Sequence, residues 1–251
     1  MKIIMARNEQ EMSRWAAERI IETVRTRPSL VLGLATGSTP EGIYRELVED
    51  HRINGTSYKH VVTFNLDEYV GLKPDHPNSY HTYMKTRLFD HLDFLPQRTH
   101  IPDGNAADLA EECRQYEKHI SRFGGIDLQL LGIGRNGHIG FNEPGTAFDT
   151  RTHVVRLTES TRKANARFFH RKEEVPTHAI TMGIASILSS RQILLLATGR
   201  AKAEALRRLI EGPVHPDFPA SALKQHPDVT VLADASACRY LSKKGKISDV
   251  G

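Results

Sequence analysis

Two carboxylates stand side by side in Asn65-Leu66-Asp67-Glu68-Tyr69, directly after an apolar run. Neighbouring side chains on an extended chain point to opposite sides, so one can face a cleft while the other braces the structure. A carboxylate held over a C–H bond next to a carbonyl is suited to abstract that proton; a solvated acidic turn is the plainer alternative. A second segment, Gly132-Ile133-Gly134-Arg135-Asn136-Gly137, has the glycine spacing of a dinucleotide loop. The helix such a loop must open is poorly supported, because His138-Ile139-Gly140-Phe141-Asn142-Glu143-Pro144-Gly145 adds two glycines and a proline. The segment reads instead as a glycine-supported loop presenting Asn136, His138 and Glu143. Histidine titrates near neutral pH, and a nearby carboxylate can orient it and tune its pKa. A histidine that only bonds the backbone is the alternative.

Thr36-Gly37-Ser38-Thr39-Pro40 lies between an apolar run and a helical pattern. Glycine allows close backbone approach, the hydroxyls are polar contacts, and proline suits a first helical turn. The free N–H groups and dipole of that helix start would point at an anion. Gly37, Ser38 and Thr39 are therefore a candidate phosphate cradle, or else an ordinary capped turn; the Gly-Lys-Ser/Thr of a P-loop is missing. Thr198-Gly199-Arg200-Ala201-Lys202 repeats the arrangement, and Lys202 could reach an anion there or be a solvated first-turn lysine. The segment from 151 to 172 is rich in Arg and Lys around Phe168-Phe169. Such mixtures can bind single-stranded nucleic acid, but a solvated helix face combined with a lid whose arginine closes on a phosphate fits better. His76 and His81, with Asp67 and Glu68, match no helical metal-ligand spacing, so no metal is expected.

These segments need elements to hold them. Short apolar runs at 2–5, 30–35, 61–66, 126–131, 154–157, 193–197 and 229–232 read as strands, the last of these closing the series. Helical spacing follows at 9–25 after a capping Asn8, from Pro40 to 49, from Asn78 or Ser79 to 91, at 106–122, 161–169 and 201–211. Strands alternating with helices imply an α/β fold: a mostly parallel sheet with helices on both faces. Ligands bind such sheets beyond the carboxyl ends of the strands. Three runs end there in polar or glycine-rich segments: 36–40, 67–68 and 132–143. No repeat or linker divides residues 1–251, so a single domain is expected, with 212–219 as a surface loop.

The bulk properties agree. With 39% hydrophobic and 25% charged residues the chain falls among globular proteins. A formal charge of +4 favours an anionic small molecule but is no nucleic-acid footprint. The two cysteines form no C-x-x-C pair, which suits a reducing compartment. The first residues are too soon charged for a signal peptide, and no apolar stretch reaches the roughly 20 residues of a membrane span. A cytoplasmic protein without membrane partners is expected.

Taken together, Leu66-Asp67-Glu68-Tyr69, Gly134-Arg135-Asn136-Gly137-His138-Ile139-Gly140-Phe141-Asn142-Glu143-Pro144 and the Thr-Gly-Ser-Thr-Pro loop resemble the glucosamine-6-phosphate deaminase family, in the same order along nearly the whole chain. The first loop alone is shared in kind with 6-phosphogluconolactonases. The resemblance implies a modified Rossmann-like three-layer αβα sandwich. It also implies cofactor-free conversion of a phosphorylated amino sugar to fructose 6-phosphate and ammonia. On that resemblance Asp67 moves the C2 proton toward C1, and His138 opens the ring with Glu143 and Asn136. Arg167 and Lys202 hold the phosphate with Gly37, Ser38 and Thr39. Apart from the resemblance, the basic segment marks residues near 155–175 as a candidate mobile lid.

Two departures bear on these expectations. Many members carry Asp where this chain has Asn136, and an amide cannot stabilise imidazolium as a carboxylate does. It can still orient His138 by hydrogen bonding. The basic pair that binds an activator phosphate in allosteric hexameric members matches His153 and Val155, and valine cannot pair with phosphate. The C-terminus also looks shorter than theirs. Weak or absent activation, and a monomer or small homo-oligomer, are expected. The rivals are a 6-phosphogluconolactonase-type hydrolase and a non-catalytic sugar-phosphate sensor; the full set from Asp67 to Glu143 favours the deaminase.

Overall fold

A computed structural model describes residues 1–169, 171–242 and 247–250. Position 170, inside the expected lid, and the side chain of Phe168 lie outside the described residues. In chain order the elements are β1 (Lys2–Ala6), α1 (Glu9–Thr26), β2 (Val31–Leu34), α2 (Ser38–Asn54), β3 (Val62–Asn65), β4 (Asp67–Tyr69), α3 (Tyr80–Arg87), β5 (Thr99–His100) and α4 (Leu109–Arg122). They continue with β6 (Leu128–Gly132), β7 (His153–Arg156), α5 (Glu159–Asn165), β8 (His178–Thr181), α6 (Ile184–Leu188), β9 (Gln192–Ala197), α7 (Ala203–Glu211), β10 (Val229–Asp234) and β11 (Ile247–Asp249).

Eight strands form the main sheet in the order β11-β1-β10-β9-β6-β2-β3-β5, and each pairing is parallel. The central strands β2, β6 and β9 are mostly apolar because both faces are covered. In β9, Ile193, Leu195 and Ala197 pack with Tyr116 and Ile120 of α4, Ile187 of α6 and Leu206 and Leu209 of α7. The alternate residues Leu194 and Leu196 pack on the other face with Met12, Ala16 and Ile20 of α1, Ile43 and Leu47 of α2 and Met84 of α3. The period of two thus feeds two cores, giving the three-layer α/β sandwich.

Local chemistry sets the helix starts. The Asn8 side chain accepts from the Glu11 N–H at 2.9 Å, as its sequence position suggests. Ser79, rather than Asn78, caps α3. Asp108 caps α4, so that helix begins after 108 instead of at 106. Thr158 caps α5, which starts before 161 and stops at Asn165, passing into a 3-10 turn over Ala166–Phe168. The main helix of α3 ends at Arg87, because Leu88 has an extended φ of −142°; 89–91 is a separate 3-10 turn. A 3-10 turn over Arg200–Lys202 precedes α7.

Two features depart from the alternating pattern. The run at 154–157 does not join the main sheet: β7 pairs antiparallel with β8, and β8 with β4, in a separate three-stranded sheet. The strand at 229 is not the last, since β11 adds to the edge of β1. The segment 212–219 is also more than a surface loop, because Phe218 is buried against Gly137.

Candidate active site

The chain changes sheets at a single residue. The Leu66 N–H bonds the Leu34 carbonyl of β2 at 3.1 Å, and the Leu66 carbonyl accepts from Met182 N–H, just after β8, at 2.7 Å. Asp67, next in line, therefore sits at the carboxyl end of β3, where it opens the small sheet opposite Thr181. Its neighbour Glu68 turns the other way, as the alternation requires. Glu68 is 1% exposed and accepts from the backbone N–H groups of Tyr69 (2.7 Å), Tyr80 (3.0 Å) and His81 (3.0 Å), and its Oε2 lies 2.8 Å from His81 Nδ1. One carboxylate braces α3, and the other is left for the cleft.

Asp67 is 7% exposed, and burial, reinforced by the charge of Glu68, raises its pKa to about 8. A carboxyl in that range can take and return a proton near neutral pH. Around it stand the phenols of Tyr69, Tyr80 and Tyr116, each pushed upward chiefly by burial and further by Asp67. The Tyr80 phenol also lies against the Thr36 hydroxyl, tying the base to the loop after β2.

The loop after β6 comes to the same place. Gly140, at φ 56°, lies so close that a Cβ there would sit 3.6 Å from Asp67 Oδ2 and 2.8 Å from the Thr181 hydroxyl. The Phe141 N–H donates to that hydroxyl at 3.1 Å. Upstream, a Cβ on Gly134 would fall 2.3 Å from the His138 ring, so the glycine spacing makes room for the imidazole and not for a nucleotide. His138 Nδ1 stands 3.8 Å from Glu143 Oε2. Burial lowers the His138 pKa; Glu143 opposes this and Lys202 adds to it, and burial prevails. A neutral imidazole able to take up a proton results.

Glu143 is a hub. It accepts from Asn136 Nδ2 at 2.6 Å, from the Thr158 hydroxyl at 3.3 Å and from the Thr161 hydroxyl. Asn136 hydrogen-bonds the His138 backbone and not its ring: its Oδ1 accepts from the His138 N–H at 3.2 Å, and its amide holds Glu143. The threonines belong to the cap and first turn of α5, so this carboxylate joins the histidine loop to the helix leading to Arg167.

The phosphate candidates occupy the neighbouring loops. Gly37, at φ 95°, is the N-cap of α2 and supplies no side-chain cap; the first N–H groups of α2, at Ser38 and Thr39, have no carbonyl within the helix. The Tyr83 hydroxyl fixes this loop by donating to the Gly37 carbonyl at 2.6 Å. β2 and β6 are adjacent, which sets this helix start beside the loop after β6. Lys202 donates from Nζ to the Ile133 carbonyl at 2.6 Å in that loop. Its pKa is lowered by burial, then by Arg135, then by Arg167. Three cations crowd together there, a suitable setting for a dianion. Arg135 escaped the sequence reading, as did Thr158 and Thr161. The glycine turn holding Arg135 was visible; nothing in its spacing marked the arginine.

His76 and His81 serve locally. The Asn78 N–H donates to His76 Nδ1 at 3.1 Å, while His81 bonds Glu68. Among the described residues no three His, Cys, Asp or Glu side chains gather as a metal site would need, and no helix is long and apolar enough to cross a membrane.

Comparison with known proteins bears on what this arrangement does. The model of the glucosamine-6-phosphate isomerases/6-phosphogluconolactonase family matches residues 6–232. A glucosamine-6-phosphate deaminase from Geobacillus sp. (strain WCH70) is 61% identical over 237 residues, covering 94% of each chain. A solved structure described as a monomeric glucosamine-6-phosphate deaminase is 55% identical, with a TM-score of 0.94 over 96% of this chain and all of that one. The 6-phosphogluconolactonase of Trypanosoma brucei has the same fold at 21% identity, with a TM-score of 0.79 over 96% of this chain and 98% of that one.

Proposed function

The chain belongs to the glucosamine-6-phosphate isomerase/6-phosphogluconolactonase family, and from that premise we propose that it converts glucosamine 6-phosphate and water to fructose 6-phosphate and ammonia in amino-sugar catabolism. The observation that carries this reading is Asp67, buried with a raised pKa, lying against Gly140 in the loop that carries His138 and Glu143.

The chemistry needs two proton handlers and an anchor. The phosphate is held by the α2 start at Gly37, Ser38 and Thr39, by Lys202 and by Arg167, and the cation crowding at Lys202 supports this. His138, neutral, relays the proton from the anomeric hydroxyl to the ring oxygen, and the pyranose opens. Glu143 stabilises the transient imidazolium from 3.8 Å, and Asn136 steadies Glu143. With the C1 carbonyl free, the C2 hydrogen becomes acidic. Asp67 takes it as a proton, leaving an enolamine, and returns it to C1. The resulting C2 imine adds water and expels ammonia, which leaves the ketose phosphate. The substrate supplies its own electron sink, so the sequence calls on no cofactor. The substrate's ammonium group beside C2 would pull Asp67 toward its ionised form on binding.

The test is purified protein with glucosamine 6-phosphate and simultaneous detection of ammonia and ketose phosphate in equal amounts. A lactonase would instead hydrolyse 6-phosphogluconolactone and release no ammonia, and a sensor would turn over neither. We further place the chain in the cytoplasm, as a monomer or small homo-oligomer. N-acetylglucosamine 6-phosphate should activate it little, because Val155 packs with the apolar cluster of Tyr69, Phe141 and Leu157.

A further inference from the structure

The geometry points to His81 as a positioning residue for the base: by donating from Nδ1 to Glu68 it steadies the negative charge behind Asp67 and so sets how tightly Asp67 holds its proton. This rests on the reading of Asp67 as the base.

Four N–H donors meet the Glu68 carboxylate. Those of Tyr69, Tyr80 and His81 are backbone groups fixed by β4 and the first turn of α3. The fourth, His81 Nδ1, is the side-chain donor, 2.8 Å from Oε2. An ionised carboxylate only accepts, so Nδ1 carries the hydrogen. Glu68 is almost wholly buried while the His81 side chain is 31% exposed, so the pair joins the interior to a solvent-accessible ring. A buried charge acts on its neighbour with little screening, and a strong donor draws that charge toward itself. Removing the donor leaves the Glu68 charge less compensated, and its repulsion of an ionised Asp67 grows.

Among the described residues no other side chain is hydrogen-bonded to Glu68. Around Asp67 the phenols of Tyr69, Tyr80 and Tyr116 carry no positive charge. His81 lines a cavity of about 660 Å³ shared with Asp75, Lys85, Asp90, His100, Glu112 and His119. Lys85 is held by Asp90 at 2.7 Å. A purely structural role, anchoring α3 through Glu68, would predict loss of stability on His81 substitution but no displaced pH profile.

The experiment compares the rising limb of kcat/KM against pH, with glucosamine 6-phosphate, for the full-length protein and its variants. His81→Leu removes the donor and should move the limb to higher pH by roughly half to one unit, lowering kcat/KM about 3- to 10-fold below the midpoint. The alkaline plateau and KM there should stay close to those of the parent protein. His81→Asn offers an amide N–H in place of Nδ1–H and should bring the limb back. Glu68→Gln removes the charge and should move it the opposite way. An unmoved limb in His81→Leu, or equal displacement in His81→Leu and His81→Asn, overturns the inference while leaving Asp67 as the base. Should His81→Leu fold poorly, His81→Phe keeps the ring volume without the donor and is read in the same way. Near-normal turnover in Asp67→Asn would instead sink the base reading itself.

Discussion

The two halves of the site share burial but differ in the charges placed beside it. Around Asp67 and His138 the protein removes water: burial lifts the carboxyl pKa to about 8 and lowers that of the imidazole, which favours the uncharged form of both. Around Lys202 burial acts as well, but like charges are gathered with it: Arg135 and Arg167 stand beside a half-buried ammonium, with the start of α2 nearby. On the proposed reading, desolvation tunes the half that moves protons, and gathered positive charge serves the half that holds an anion. Substitutions in the first should damage kcat, and those in the second KM.

The sharpest break in that contrast is Asp67→Asn. Losing a general base costs on the order of 10²–10⁴-fold in turnover, while substrate affinity should persist in equilibrium binding. His138→Gln should slow ring opening by a somewhat smaller factor within the same range, and a substrate locked in the open-chain form should partly rescue it. Absence of rescue would place His138 at another step. On the anion side, Lys202→Met removes a charge-assisted contact of about 1.5–3 kcal/mol, so KM should rise roughly 10- to 100-fold, with kcat less affected. Arg135→Ala should raise KM by less, because the side chain is exposed and solvent screens its charge.

The smallest effect concerns stability. A carboxyl whose folded pKa lies near 8 holds its proton more tightly folded than unfolded. Its contribution is therefore fully present below the ordinary carboxyl range and is lost as pH rises from there through 8. Asp67→Asn should stabilise the fold by about 1–2 kcal/mol above that window and give no gain in acid, as melting curves at two pH values would reveal.

Much of this was legible in the sequence, for physical reasons. Parallel strands buried on both faces read as unbroken apolar runs, so β2, β3, β6, β9 and β10 stood out, and with them the loops at their ends. Strand alternation suggested that one of Asp67 and Glu68 braces the structure without saying which, and Glu68 does so at the start of α3. The small sheet was hidden because β4 follows β3 after one residue and merges with it, while β7 is half exposed and β8 opens on the exposed His178. β11 is three residues at an edge, too short to leave a period. Asn136 does bond His138, as the sequence suggested, but through the backbone N–H; its amide also reaches Glu143, seven positions on, because the glycine turn folds the loop back.

The central claim is that Asp67 moves the hydrogen between C2 and C1. The direct measurement is exchange of the C2 hydrogen of glucosamine 6-phosphate with deuterated solvent, together with deuterium at C1 of the ketose product. The parent protein should catalyse both, and Asp67→Asn should lose both while still binding the substrate. Exchange at an undiminished rate in Asp67→Asn would contradict the account.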